Sequence, residues 1–213
     1  MTDTIMKPTD LDSFTRGYLE TALFTTDPHP PSGCDYVESG RADEMFPLLP
    51  AEFIADAKRD CEKFKTENAA LLEQAGDDWQ NGSDFFYTRH SHGVGFWSRG
   101  YPDDVADALT AASTKFLQAD LDQIYLTSAL IARKFSELLH ENLSVYEMEH
   151  IIASNKTPEY KDCCASHDFC DANVYMAEAF EEVNGEEIDL QNQNHTDLWN
   201  EAWRIAKEKE FTF

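Results

Sequence analysis

Cations are scarce in this chain. Its 213 residues carry 17 lysines and arginines against 41 aspartates and glutamates, a formal net charge of -24. There is no basic stretch interleaved with aromatics beyond residues 85–100, so direct nucleic-acid binding is excluded as an expectation. Long hydrophobic runs are missing too, and no segment approaches the length that spans a bilayer. The first residues, Met1 to Pro8, hold neither a basic nor an apolar region of the kind that opens a signal peptide. The expectation is a protein that stays in the cytoplasm of the cell that makes it, with no membrane contact. Cysteines are few and odd in number: Cys34, Cys61, Cys163, Cys164 and Cys170. Without a secretory signal they read as reduced thiols. No Ser-His-Asp order, nucleotide-binding loop, paired catalytic carboxylates, internal repeat or low-complexity segment is present.

What is there suits a folded core. Apolar residues make up 42% of the chain and aromatics 12%, which is globular rather than disordered composition. The acidity is shared: 23 acids against 10 bases in residues 1–127, and 18 against 7 in residues 128–213. The excess is therefore spread along the chain and not held in a tail. Such a surface repels nucleic acid and anionic lipid and attracts basic partners.

Periodicity predicts helices over residues 9–26 and 51–75. In the second, Phe53, Ala57, Cys61, Phe64, Leu71 and Leu72 recur at helical spacing and Gly76 stops the run. Between them, Pro28, Pro30, Pro31, Gly33, Gly40, Pro47 and Pro50 mark a connector. Asn81-Gly82 reads as a turn. Residues 85–100 then read as a hairpin, two apolar-aromatic runs around Ser91-His92-Gly93 with Gly93 at the turn. Pro102 opens a helix to about residue 119. The alternation of residues 121–126 reads as a strand beside the hairpin. Beyond Ser128 the pattern is all helical. It includes a capping box at Ser144-x-x-Glu147, a helix from Ser166 to about Val183, and a last helix from about Thr196. The fold class expected is α+β: a helix-rich module with a small antiparallel hairpin over residues 1–127, then an all-α module over 128–213.

Two stretches carry candidate chemistry. In the hairpin, Arg89, His92, Trp97 and Arg99 combine aromatic walls with local positive charge, as an anionic small molecule or a partner carboxylate requires. His90 and His92, two apart, would share one strand face and could bind a metal, but no third ligand follows nearby. The second stretch is Cys163-Cys164-Ala165-Ser166-His167-Asp168-Phe169-Cys170. Cys163 or Cys164 with His167 and Cys170 has zinc-like spacing, completed by His150 or Asp171. Zinc is the one cofactor this spacing admits; otherwise none is expected.

That second stretch resembles the active-site helix signature of secreted phospholipase A2 over about nine residues. The resemblance would make His167 a general base on water and Asp168 a calcium ligand. The family's glycine-rich calcium loop is replaced here by residues 157–162. A wider resemblance links Gly17 to Leu23, and Asp84 to Gly100, with small acidic proteins encoded by phages, prophages and plasmids. It spans most of residues 14–126, and it departs from their pattern at His90 and Ser98. Residues 157–203, through His167-Asp168-Phe169-Cys170-Asp171-Ala172-Asn173, resemble another phage-borne module. Both resemblances imply a mobile-element origin and supply no reaction. Together the residues lead us to expect an acidic accessory protein that acts by binding a basic, nucleic-acid-gripping host protein, as an anti-defence inhibitor or nucleic-acid mimic. The alternatives are a small-molecule binder or small enzyme using Arg89, His92 and Trp97, and a metal-dependent hydrolase at His167 and Asp168.

Overall fold

The computed structural model describes residues 10–31, 35–142 and 167–208. The chain forms two compact units, Met1–Leu121 and Asp122–Phe213. The division expected after residue 127 falls inside a helix that belongs wholly to the second unit.

The first unit contains α1 (Ser13–Thr26), α2 (Asp35–Glu38), α3 (Arg41–Met45), α4 (Ala51–Ala75), α5 (Asp78–Arg89) and α6 (Asp103–Ser113), with short 3-10 turns at Phe46–Leu48 and Phe96–Ser98. The second contains α7 (Gln123–Asn142), α8 (His167–Asn184) and α9 (Gln193–Glu208). No strand occurs among the described residues, so the architecture is all-α and the expected α+β class is overturned.

The expected hairpin gives way to a helix and a short turn. Asp77 caps α5, its Oδ1 accepting the Gln80 N–H at 2.8 Å. The helix then runs straight through Asn81-Gly82 to Arg89. Its buried face, Asn81, Gly82, Phe85, Phe86 and Arg89, repeats at helical spacing. Gly82 is there because α1 crosses at backbone distance. A Cβ on Gly82 would strike the Phe14 carbonyl, and one on Gly17 would strike the Trp79 carbonyl. Two glycines, one on each helix, thus allow the closest crossing in the unit. After α5 the chain turns at Ser91, which takes the left-handed conformation at φ 56° in place of the expected Gly93. The second aromatic run is a 3-10 turn. Residues 121–126 are not a strand either. Asp122 caps α7, its Oδ1 accepting the Ile124 N–H at 2.8 Å, and the apparent alternation is the start of that helix.

The core of the first unit is aromatic. Phe14, Phe64, Phe85 and Phe96 are fully buried; Phe64 and Phe85 stack at 4.1 Å, and Phe116 meets Phe85 edge-on. α4 supplies Phe64 and Cys61 and ends as the sequence predicts. Gly76, at φ 88°, donates its N–H to the Leu72 carbonyl. In the second unit, Ile131, Phe135, Leu138 and Leu139 of α7 pack with Met176 and Phe180 of α8 and with Trp199 and Trp203 of α9. No described helix is long and apolar enough to cross a membrane.

Candidate functional site

The four residues expected to form a site go to different places. Arg89, the last residue of α5, turns into the core and is 6% exposed. Its Nε donates to the Leu117 carbonyl at 2.6 Å, Nη1 to the Tyr18 hydroxyl at 2.9 Å and Nη2 to Asp60 Oδ2 at 2.8 Å. Tyr18, Phe85 and Phe116 lie against its guanidinium at 5.8–5.9 Å. Each guanidinium nitrogen donates to a group within the unit and the side chain is almost inaccessible, so it presents no open anion site. His92 is half-buried. Its N–H donates to the Tyr87 carbonyl at 2.9 Å, and its ring lies on Phe86 and Tyr87. Arg99 pairs through Nε with Asp84 Oδ1 at 2.8 Å. Trp97 faces outward, 45% exposed, and Arg99 is exposed as well.

His90 and His92 hold no metal between them in this arrangement. The His90 Nδ1–H donates to the Phe86 carbonyl at 2.9 Å, and Nε2 accepts the Ala119 N–H at 3.3 Å. Both ring nitrogens are therefore taken, and burial lowers the ring's pKa below the ordinary histidine value. Of the zinc set, Cys163 and Cys164 lie outside the described residues, as do His150 and the Ser144 capping box. His167, Asp168 and Cys170 are placed in the first turn of α8. Among the described residues no group of three or more histidines, cysteines or acids stands close enough to hold a metal.

A cleft of about 330 Å³ does open in the first unit, lined by Glu20, Thr21, Trp79, Ser83, Tyr87 and Arg99 among others. Of these, the sequence singled out Arg99 alone. Several of the cleft's polar groups are paired, while the buried Tyr36 hydroxyl on its wall has no hydrogen-bond partner among the described residues. Glu20 accepts from Arg16 Nε and Trp79 Nε1, both at 2.6 Å. The Thr21 hydroxyl sits 2.8 Å from the Ser83 hydroxyl. Asp84, fully buried, accepts from Arg99 and from Gln80 Nε2 at 3.1 Å. Burial raises the Asp84 pKa, and its bonds to Arg99, Gln80 and Tyr101 oppose the rise. Tyr101 is pushed up to about 12, chiefly by burial and then by Asp84. Ser83 therefore faces a hydroxyl and not a base, which is no arrangement for nucleophilic catalysis. Cys61 is buried, and its thiol is pushed well above the ordinary range, chiefly by burial.

The surface is another matter. Arg16, Arg41, Arg59, Lys65, Arg89 and Arg99 in the first unit each lie within ion-pair distance of a carboxylate. So do Arg133, Lys134 and Arg204 in the second. Lys63 and Lys207 lie over the Phe116 and Trp203 rings. Acids outnumber these cations, and exposed carboxylates mark both units: Glu52, Glu67 and Glu73 along α4, and Glu181, Glu186 and Glu187 at the end of α8 and just beyond it. Sequence counting gave the sign of this surface. It could not tell that most of the described cations would be bound internally.

No protein-family model, curated protein or solved structure matches the chain.

Proposed function

We propose that this protein acts by binding a basic protein that normally grips nucleic acid, its acidic surface standing in for a phosphate backbone. The observation that carries this reading is that most of the described cations, Lys58 and Lys115 aside, pair with the chain's own acids and rings while a surplus of carboxylates faces solvent. A surface of one sign steers and orients a partner of the other. The resemblance to phage- and plasmid-borne proteins supports an anti-defence or regulatory target in the host cell. Neither the Arg89 guanidinium, the paired hydroxyls of Thr21 and Ser83 nor the buried Cys61 thiol is an activated catalytic group.

The test is capture from bacterial lysate on the immobilised chain, with elution by increasing salt and competition by duplex DNA. The expected result is recovery of basic, nucleic-acid-binding proteins that salt releases and DNA displaces. Captured proteins that neither salt nor DNA removes would contradict the mimic reading.

A further inference from the structure

The geometry points to Trp97 as the apolar anchor of that binding surface, a platform on which an arginine or lysine side chain of the basic partner stacks. This rests on the acidic-surface reading and adds to it a place and a contact.

Trp97 is 45% exposed, and Val94, three residues before it, is 39% exposed. Here the ring is held out by a rigid support. Phe96, the residue before it, is fully buried and donates its N–H to the Thr88 hydroxyl at 3.3 Å. The Gly95 N–H donates to Ser98 Oγ at 3.1 Å, and that hydroxyl donates back to the Gly95 carbonyl at 2.9 Å. The indole lies so close over Gly95 that a Cβ there would collide with it at 2.6 Å. The loop is therefore fixed before any partner arrives, which lowers the ordering cost of binding. Tryptophan is one of the residues enriched among interface hot spots.

Charge selects the occupant. The 3-10 turn carrying Trp97 packs against α6. The exposed first turns of α6 bear Asp103, Asp104 and Asp107. The nearby cation Arg99 is neutralised by Asp84. An exposed indole on a turn that packs against the helix bearing these three exposed carboxylates attracts a guanidinium or ammonium group by its ring quadrupole and by the acidic field of that helix. The same carboxylates and the net charge of -24 repel a nucleobase on its phosphate chain, an anionic membrane and a second copy of this chain.

The experiment titrates the full-length chain with an arginine octapeptide at low and high salt, comparing wild type with Trp97→Ala, Trp97→Phe and the triple change Asp103→Asn, Asp104→Asn, Asp107→Asn. Trp97→Ala is expected to weaken binding roughly 3- to 10-fold with the salt slope unchanged. Trp97→Phe should retain most of the affinity. The triple carboxamide variant should flatten the salt slope. In the wild type, the peptide should shield Trp97 from acrylamide quenching, a signal absent from Trp97→Phe and independent of whether the alanine variant folds. If Trp97→Ala binds like wild type while affinity still falls with salt, Trp97 is not the anchor and the acidic-surface reading survives. If wild type shows no salt-dependent binding, both fall.

Discussion

The two units bury different things. In the first, charged and polar side chains go inside: Glu20, Asp27, Asn81, Asp84 and Arg89 are all nearly inaccessible. Each has a matched partner, such as Arg41 on Asp27 at 2.8 Å or Tyr18 on Arg89 at 2.9 Å. In the second, α7, α8 and α9 meet through aliphatic and aromatic side chains. Its polar ties include Ser128 Oγ on the Leu198 carbonyl at 3.1 Å and His195, whose Nδ1 accepts the Asp189 N–H at 3.1 Å. A buried polar pair is stable only while both members are present, whereas an apolar core tolerates any filler of suitable volume. The first unit should therefore be brittle to single changes of chemistry and the second forgiving of them.

The largest break in that comparison should come from Arg89→Ala. It removes the buried donor from Asp60 Oδ2, leaving Asp60 only the exposed Arg59, strips the donor from the Leu117 carbonyl and leaves a hole among Tyr18, Phe85 and Phe116. A loss of about 3–5 kcal/mol is expected, confined to the first unit and read by hydrogen exchange in α1 and α5. Its counterpart Phe180→Leu, in the second core, should cost under about 1.5 kcal/mol and leave exchange in the first unit untouched. Equal losses in the two variants would erase the distinction drawn here.

Gly82→Ala comes next. The added methyl meets the Phe14 carbonyl, which is backbone and cannot swing aside. Separating α1 from α5 should cost about 1–3 kcal/mol and break the Thr21–Ser83 hydroxyl contact, seen as a lowered melting temperature. Retained stability would show that the crossing is looser than described.

The smallest effect is acid sensitivity. Burial holds the folded pKa of His90 below its unfolded value, so the unfolded chain binds the proton more readily. Stability from His90 is present above the unfolded value, near 6.5, and is lost as pH falls through that value toward the folded one. Protonation also removes the Nε2 acceptor that holds the Ala119 N–H. Chemical denaturation between pH 7 and pH 5 should show the first unit weakening, and His90→Gln should flatten that dependence. A wild-type profile that rises toward acid would reverse the assignment.

The same contrast explains what was legible in the sequence. The second core was readable: Leu130, Ile131, Phe135, Leu138 and Leu139 share a helical stripe and are buried together. α4 was readable for the same reason, with Gly76 as its stop. α5 was not. Asn-Gly is a turn signal in isolation, and the fact that cancels it, the passage of α1 at backbone distance, lies more than sixty residues away in the chain. Arg89 was read as a ligand-facing cation because composition shows charge and not burial. Asp60, Tyr18 and Leu117, which enclose it, come from three separate segments. Trp97 was named from its aromatic context, and the structure gives it a fixed and outward position.

The central claim is that the surplus of exposed carboxylates does the binding. The most direct test measures the affinity of the full chain for a captured basic protein across a salt series. The account predicts that affinity falls by more than tenfold between about 50 and about 200 mM salt, with duplex DNA competing for the same site. Affinity that stays level across that range, with DNA bound at the same time, would contradict it.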